Sequence, residues 1–146
     1  DRYRRSLYTY SKRTAPFAAA AVFDAPSGEA CVARRDRSNT PLQALTLLND
    51  AMYIEFARAL ARESLAAGDD PESIGTALFR RLLTRPPTVE ELATITAFVI
   101  PQSDRLTAGE LSAVELCGAP TATTDWAAWT LAARALLNLD EVITRP

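Results

Sequence analysis

Four helix-start signals after residue 37 constrain what this chain can fold into more than any other feature. Thr40, Pro41 and Gln43 have the form of a capping box. The threonine hydroxyl serves a backbone N–H three residues on, the proline needs no N–H at the first helical position, and the glutamine reaches back to the cap. Asn49-Asp50 either kinks that helix or caps a second one. Asp70-Pro71 opens a third helix, which ends ahead of Pro86-Pro87. Thr88 with Glu91 repeats the capping box for a fourth, which Pro101 ends or kinks. A short helix fits Ala108–Leu116, and a last one runs from about Thr124 to Leu139.

Apolar residues recur at helical spacing behind each start. The expected core faces are Leu42, Leu45, Leu48 and Met52, widened by Ala44 and Leu47; then Ile54, Ala57, Leu60, Ala61 and Leu65, stopping at Gly68; then Ile74, Ala77, Leu78 and Leu82; then Leu92, Ile95, Phe98 and Val99. The last helix carries Trp126, Trp129, Leu131, Ala133, Leu136 and Leu137 around much of its circumference, which suits a central position. The fold class expected is mainly α, a compact helical domain of about five helices. Residues 1–146 read as a single domain, the C-terminal part of a larger one, with an irregular basic segment over 1–37 and a helical body over 38–146. In that first third, an alanine-rich helix fits Pro16 to Phe23, closed by the turn residues Asp24 to Gly28. Tyr8-Thr9-Tyr10 favour a short strand, though one or two helical turns fit the same residues.

Composition excludes several chemistries. There is no histidine, so Ser-His-Asp and Cys-His catalysis, histidine metal sites and covalent haem attachment through C-x-x-C-H are ruled out within this sequence. Cys31 and Cys117 cannot build a zinc site alone; they allow one disulfide in an exported protein or two buried thiols otherwise. No apolar run approaches the roughly 18 residues of a membrane span, and the longest, Ala15 to Phe23, is interrupted by Pro16. The first residues form no signal peptide, and a chain opening on Asp1 reads as a piece of something longer. Phosphate-loop, dinucleotide and nucleophile-elbow patterns are absent.

Charge is uneven. Residues 1–37 carry eight Arg and Lys against four Asp and Glu; residues 38–146 carry eight against fourteen. The basic segment can dock on the acidic body or offer a surface to phosphate or sulfate. The overall balance of −2 argues against nucleic acid as a partner.

The run "RRDRSNTPLQALTLLND" places Arg34, Arg35 and Arg37, with Asn39 and Thr40, at a helix start. Unpaired N–H groups there attract anions, and guanidinium forks add bidentate donors for carboxylate, phosphate or sulfate. The alternative is internal pairing of these arginines with Asp24, Glu29, Asp36 or the acidic body, with Thr40 only capping. Arg2, Arg4, Arg5, Lys12 and Arg13, interleaved with Tyr3, Tyr8 and Tyr10, either stack sugars or bases or form a segment whose natural neighbours lie elsewhere. Arg34 and Arg35 would lower the pKa of a reactive Cys31, yet no histidine is present as a partner base. Asp69-Asp70 and Glu90-Glu91 sit where helix starts favour negative charge, which explains them without a general acid.

Taken together, Phe23-Asp24-Ala25-Pro26, Glu29 to Cys31, Arg34 to Asn49 and Trp129 to Asp140 resemble a C-terminal domain of unknown function. That domain is found in large planctomycete-type proteins, many with a c-type cytochrome domain nearer the N-terminus. Ser38 stands where the family usually has threonine, and Ala51 where proline often follows Asn-Asp. The resemblance implies an exported, envelope-associated protein, periplasmic or at the cell envelope, with no cofactor in this chain and any haem on a separate upstream domain. It supplies no catalytic residues. The expected function is a non-catalytic structural or interaction module whose partners are upstream domains of the same polypeptide or another envelope protein. One alternative is a module binding an acidic polysaccharide through the arginine-backed helix start. Another is part of an enzyme whose catalytic residues lie upstream.

Overall fold

The computed structural model describes residues 3, 6–10, 12, 14–34 and 37–144. Among them are eight α-helices: α1 (Ala18–Val22), α2 (Pro41–Asn49), α3 (Ala51–Leu65), α4 (Pro71–Leu83), α5 (Val89–Thr107), α6 (Ala113–Cys117), α7 (Thr124–Leu137) and α8 (Asp140–Ile143). Five of these have nine residues or more, matching the mainly helical class expected, and three are short. No strand forms among the described residues. Ser6–Tyr8 is a single 3-10 turn, and an isolated bridge joins Lys12 to Ala15.

Local chemistry sets the helix starts. Thr40 and Thr88 both form complete capping boxes, with Gln43 and Glu91 returning to the cap N–H. Asp50, Asp70, Ser112 and Thr123 accept from the first-turn amides of α3, α4, α6 and α7. Asp50 therefore breaks the chain rather than kinking it: its extended backbone ends α2 and caps α3. Helix α7 stops at Leu137, short of Leu139, which precedes the separate turn α8.

Helix α7 is the centre. Ala127, Ala128, Trp129, Thr130, Ala132, Ala133, Leu136 and Leu137 are all buried, and α3 and α5 flank it most extensively. Ala57 and Ala61 let the α3 backbone approach closely. Gly75 does the same for α4: a Cβ there would meet Leu92 Cδ1 at 2.8 Å and Trp129 Cη2 at 3.6 Å.

Pro101 neither ends nor visibly interrupts α5, which continues to Thr107. The proline lies on the exposed side, where the carbonyl it leaves unpaired can meet water. Leu106, five residues beyond, is buried with Ile95 and Val99 on the inner face, and that burial favours continuation.

Arg85, in the turn after α4, ties three elements together. Its guanidinium donates to Glu91 at 2.7 and 2.9 Å and to Glu141 of α8 at 2.7 Å twice, and lies 5.6 Å from the Phe79 ring centroid. The Arg85 hydrogen bonds, then the Thr88 amide, hold the Glu91 carboxyl down at about 2; Arg85 likewise lowers Glu141. Because the folded value is depressed, this stabilisation is complete above the ordinary value of 4.5 and lost as pH falls toward about 2. An Arg85→Met variant should therefore melt below the parent by a constant margin above about pH 5, a margin that closes near pH 2. Melting curves across that range check this, and a gap unchanged at pH 2 would refute the linkage.

The largest departure from expectation is the rotation of α2. Its buried residues are Gln43 and Leu47, whereas Leu42 and Leu45 are 59% and 58% exposed and Leu48 is also exposed. The leucine stripe expected in the core faces outward. Successive residues are about 100° apart on a helix, so Leu45 stands nearly opposite the Gln43–Leu47 side. What turns the helix this way is polar, and it belongs to the candidate site.

Candidate functional site

The α2 start is organised around Gln43, which is only 1% exposed. Its Oε1 accepts from Thr40 N at 3.0 Å, and its backbone N–H donates to Thr40 Oγ1 at 3.3 Å. The far side of the same side chain reaches the preceding segment. Nε2 donates to the Val22 carbonyl at 2.9 Å and approaches Ser38 Oγ and Asp24 Oδ2 at 3.2 and 3.3 Å. Asp24 in turn accepts from Ser38 N at 2.7 Å and from Ser38 Oγ at 2.8 Å. Its backbone sits at φ 56°, a left-handed conformation that Asp and Asn adopt more readily than most residues. One residue earlier, Phe23 packs on Tyr53 of α3, and Tyr53 on Phe56, with centroids 6.0 and 5.9 Å apart. Phe23-Asp24 and Ser38–Gln43 are thus two halves of one junction that fastens the first third of the chain to the helical body.

The structure answers part of the question posed by the arginine run. A carboxylate does lie beside the helix start, and it is the chain's own Asp24. Thr40 is engaged by Gln43, and Asn39 Nδ2 donates to Asp140 Oδ1 of α8 at 2.8 Å. Arg34 and Arg37 are exposed, and no ion pair among the described residues includes either. Arg35 and Asp36 lie outside the described residues, as do Arg2, Arg4, Arg5 and Arg13 of the first basic cluster. Tyr3, Tyr8 and Tyr10 are exposed.

Both thiols are free. Cys31 is exposed rather than buried; Cys117 is buried, with Sγ 3.9 Å from Thr130 Oγ1, and burial raises its pKa. Among the described residues no group of three His, Cys, Asp or Glu could hold a metal ion, and no helix is long and apolar enough to cross a membrane.

A concavity of about 860 Å³ lies between α3 and the α6–α7 region, bounded by Tyr3, Phe56, Arg58, Arg62, Cys117 and Trp126, with other α3 residues. Its polar groups mostly serve packing. Arg58 Nε donates to the Leu116 carbonyl at 2.6 Å, and Trp126 Nε1 to the Arg58 carbonyl at 2.9 Å. Arg62 lies over the Trp126 ring at 5.6 Å, and Tyr3 Oη donates to Glu55 at 2.8 Å. Gly118, at φ 68°, has Arg58 Nη1 only 2.8 Å from where a Cβ would stand, so it allows the arginine to clamp α6. Helical spacing marks Trp126 as a core residue and gives no sign of Arg58; single arginines carry no pattern that reveals a carbonyl partner 58 residues away.

A model of the PSD1 family, proteins of unknown function (DUF1553), matches residues 1–99. The chain belongs to this family. No curated protein and no solved structure matches it. The family match contains both halves of the Asp24–Gln43 junction and α2 through α4, and it reaches into α5. The stretch Trp129 to Asp140, part of the resemblance read from sequence, lies beyond the matched residues.

Proposed function

We propose that this chain is a non-catalytic interaction module that docks through the outer face of α2. The observation that carries this reading is the inverted helix: a glutamine turned inward by four polar partners, with Leu42, Leu45 and Leu48 left toward solvent. Exposed leucines scattered singly are ordinary, but three on one helical face form a contiguous apolar stripe of the kind that marks association. A Leu42→Ser/Leu45→Ser variant should keep its thermal midpoint within about 2 °C of the parent, because exposed positions add little to folding. It should also lose cross-links that a photoreactive group placed on α2 forms with a partner. A midpoint lowered by more than about 6 °C would assign the leucines to the fold. Turnover by the purified chain would replace docking with catalysis.

A second reading has its own support. Arg34 and Arg37 are exposed cations without an ion pair among the described residues, which suits a carboxylate or sulfate of an acidic polysaccharide. Calorimetric titration with sulfated and uronic-acid oligosaccharides tests it, and no salt-sensitive heat at millimolar ligand ends it. On the resemblance alone, the setting we propose is an exported protein with a separate upstream haem domain. A search of the coding sequence ahead of Asp1 for a signal peptide and a C-x-x-C-H motif decides that point.

A further inference from the structure

We infer that α8 is an acid-released latch: when Glu141 takes a proton, this turn opens as a unit while the helices beneath it stay folded. The inference stands apart from the docking role of α2. Four residues make about one helical turn, too short to hold its shape in water unaided. None of the four is buried, and only Val142 packs, partly covered, against the core. Apolar burial therefore anchors α8 weakly, and the remaining anchors are two adjacent carboxylates. Asp140 Oδ1 accepts from Asn39 Nδ2 at 2.8 Å, just ahead of α2. Glu141 accepts from Arg85 Nε and Nη2 at 2.7 Å each, just after α4. One short turn thus ties the α2 start to the connection between α4 and α5.

Arg85 shares its fork between two carboxylates that are not equally held. Glu91 has a second donor, the Thr88 N–H at 2.7 Å, whereas among the described residues Arg85 alone donates to Glu141. Glu141 is therefore the partner that lets go first. The Arg85 hydrogen bonds hold its carboxyl below the ordinary 4.5, so the anchor is complete above that value and is lost as pH falls below it. The Glu91 carboxylate opposes Glu141, so removing the guanidinium leaves two like charges facing each other. Ionisable groups on the helices that pack against α8 are engaged or distant. On α4, Arg81 pairs with Glu63, no ion pair or hydrogen bond joins Arg80 to α8, and Glu72 lies in the first turn. On α7, Arg134 donates to the Leu48 carbonyl, and Asp125 lies in the first turn, at the end away from α8. Arg145 lies outside the described residues. Release would free Asn39 at the α2 start and uncover the surfaces of α4 and α7 on which the turn rests.

The test is hydrogen exchange on the 146-residue chain, corrected for intrinsic rates. It is read at the Val142, Ile143 and Thr144 amides, which donate to the Leu139 and Asp140 carbonyls. Between about pH 7 and about pH 3.5 their opening should rise about three- to tenfold, the scale of a partly exposed ion pair, while α7 amides keep their protection. Glu141→Gln should open the turn to a similar extent at neutral pH and remove the acid response. Arg85→Met should open it further, because Glu91 and Glu141 then repel. Adding Glu141→Gln to Arg85→Met should restore part of the lost protection, a recovery that simple loss of a contact does not give. Protection of the α7 amides shows in each variant that the core is still folded. Amides of α8 that open only together with those of α7 overturn the latch. So do α8 amides already unprotected in the parent at neutral pH. An acid response that persists in Glu141→Gln overturns the assignment of release to Glu141.

Discussion

Gln43→Leu is expected to lower stability by about 2–4 kcal/mol, although it preserves most of the side-chain volume. Losing the reciprocal cap at Thr40 costs about 1 kcal/mol. Leaving the Val22 carbonyl without the Nε2 donor costs about 1–3 kcal/mol where water cannot replace it. For a chain of this length that corresponds to a fall of about 6–12 °C in thermal midpoint. Hydrogen exchange should report where the damage lies: the Ser38 amide, now held by Asp24 at 2.7 Å, should exchange faster, while α7 keeps its protection. Gln43→Glu is the sharper comparison. Its carboxylate would meet that of Asp24 at the position where Nε2 now lies 3.3 Å from Oδ2. Burial and like charge raise such a group's pKa, so the variant should be weak at neutral pH and recover as pH falls and the proton restores a donor. A Gln43→Leu midpoint equal to the parent's would remove the junction as the reason for the rotation of α2.

That rotation marks the boundary of what the residues alone could reveal. Helix starts were legible because their chemistry is local: Thr40 with Gln43, Thr88 with Glu91 and Asp70 with Pro71 each complete their interactions within one turn. The central place of α7 was legible because apolar residues cover most of its circumference. Which face of α2 turns inward was not legible. Hydrophobicity favours the side bearing Leu42, Leu45 and Leu48, and a contact between Gln43 and a carbonyl 21 residues earlier outweighs it. The usable signal was the placement of Gln43 and Leu47 one turn apart on a second face. Asp24 likewise looked like an ordinary turn residue, since its role depends on Ser38, 14 residues away.

The candidate site follows the same division. Arginines at a helix start suggested an anion, and the local donors are there, but the long-range partners of Asn39 and Ser38 belong to the chain itself. Arg58 and Arg85 act across 58 and 56 residues respectively and stood out in no sequence pattern. Pro101 shows the reverse case, in which a strong local breaker yields to burial of Leu106 five residues on.

Phe79→Ala should cost more stability than either Gln43→Leu or Arg85→Met, about 3–5 kcal/mol. Helical spacing points to Ile74, Ala77, Leu78 and Leu82 on α4, yet the residues buried are Ile74, Gly75, Leu78 and Phe79. Gly75 explains the shift: lacking a Cβ, it lets the helix approach Leu92 and Trp129 until Phe79 turns into the core at 2% exposure. Truncation leaves a cavity beside residues that close packing elsewhere prevents from collapsing, so the cavity cost adds to the lost burial. The ring also lies beneath the Arg85 guanidinium, so Phe79→Ala should weaken the hold of Arg85 on Glu91 and Glu141. The double variant with Arg85→Met should accordingly lose less than the two single losses combined. Urea unfolding followed by tryptophan fluorescence, which reports Trp129 in the core, should show an earlier midpoint with an unchanged slope. Unlike Gln43→Leu, this substitution should release α3, α5 and α7 together with α4, because the cluster containing Phe79 joins all four helices. Protection lost in α4 alone, with α7 intact, would mean that the helices do not fold as one cooperative core.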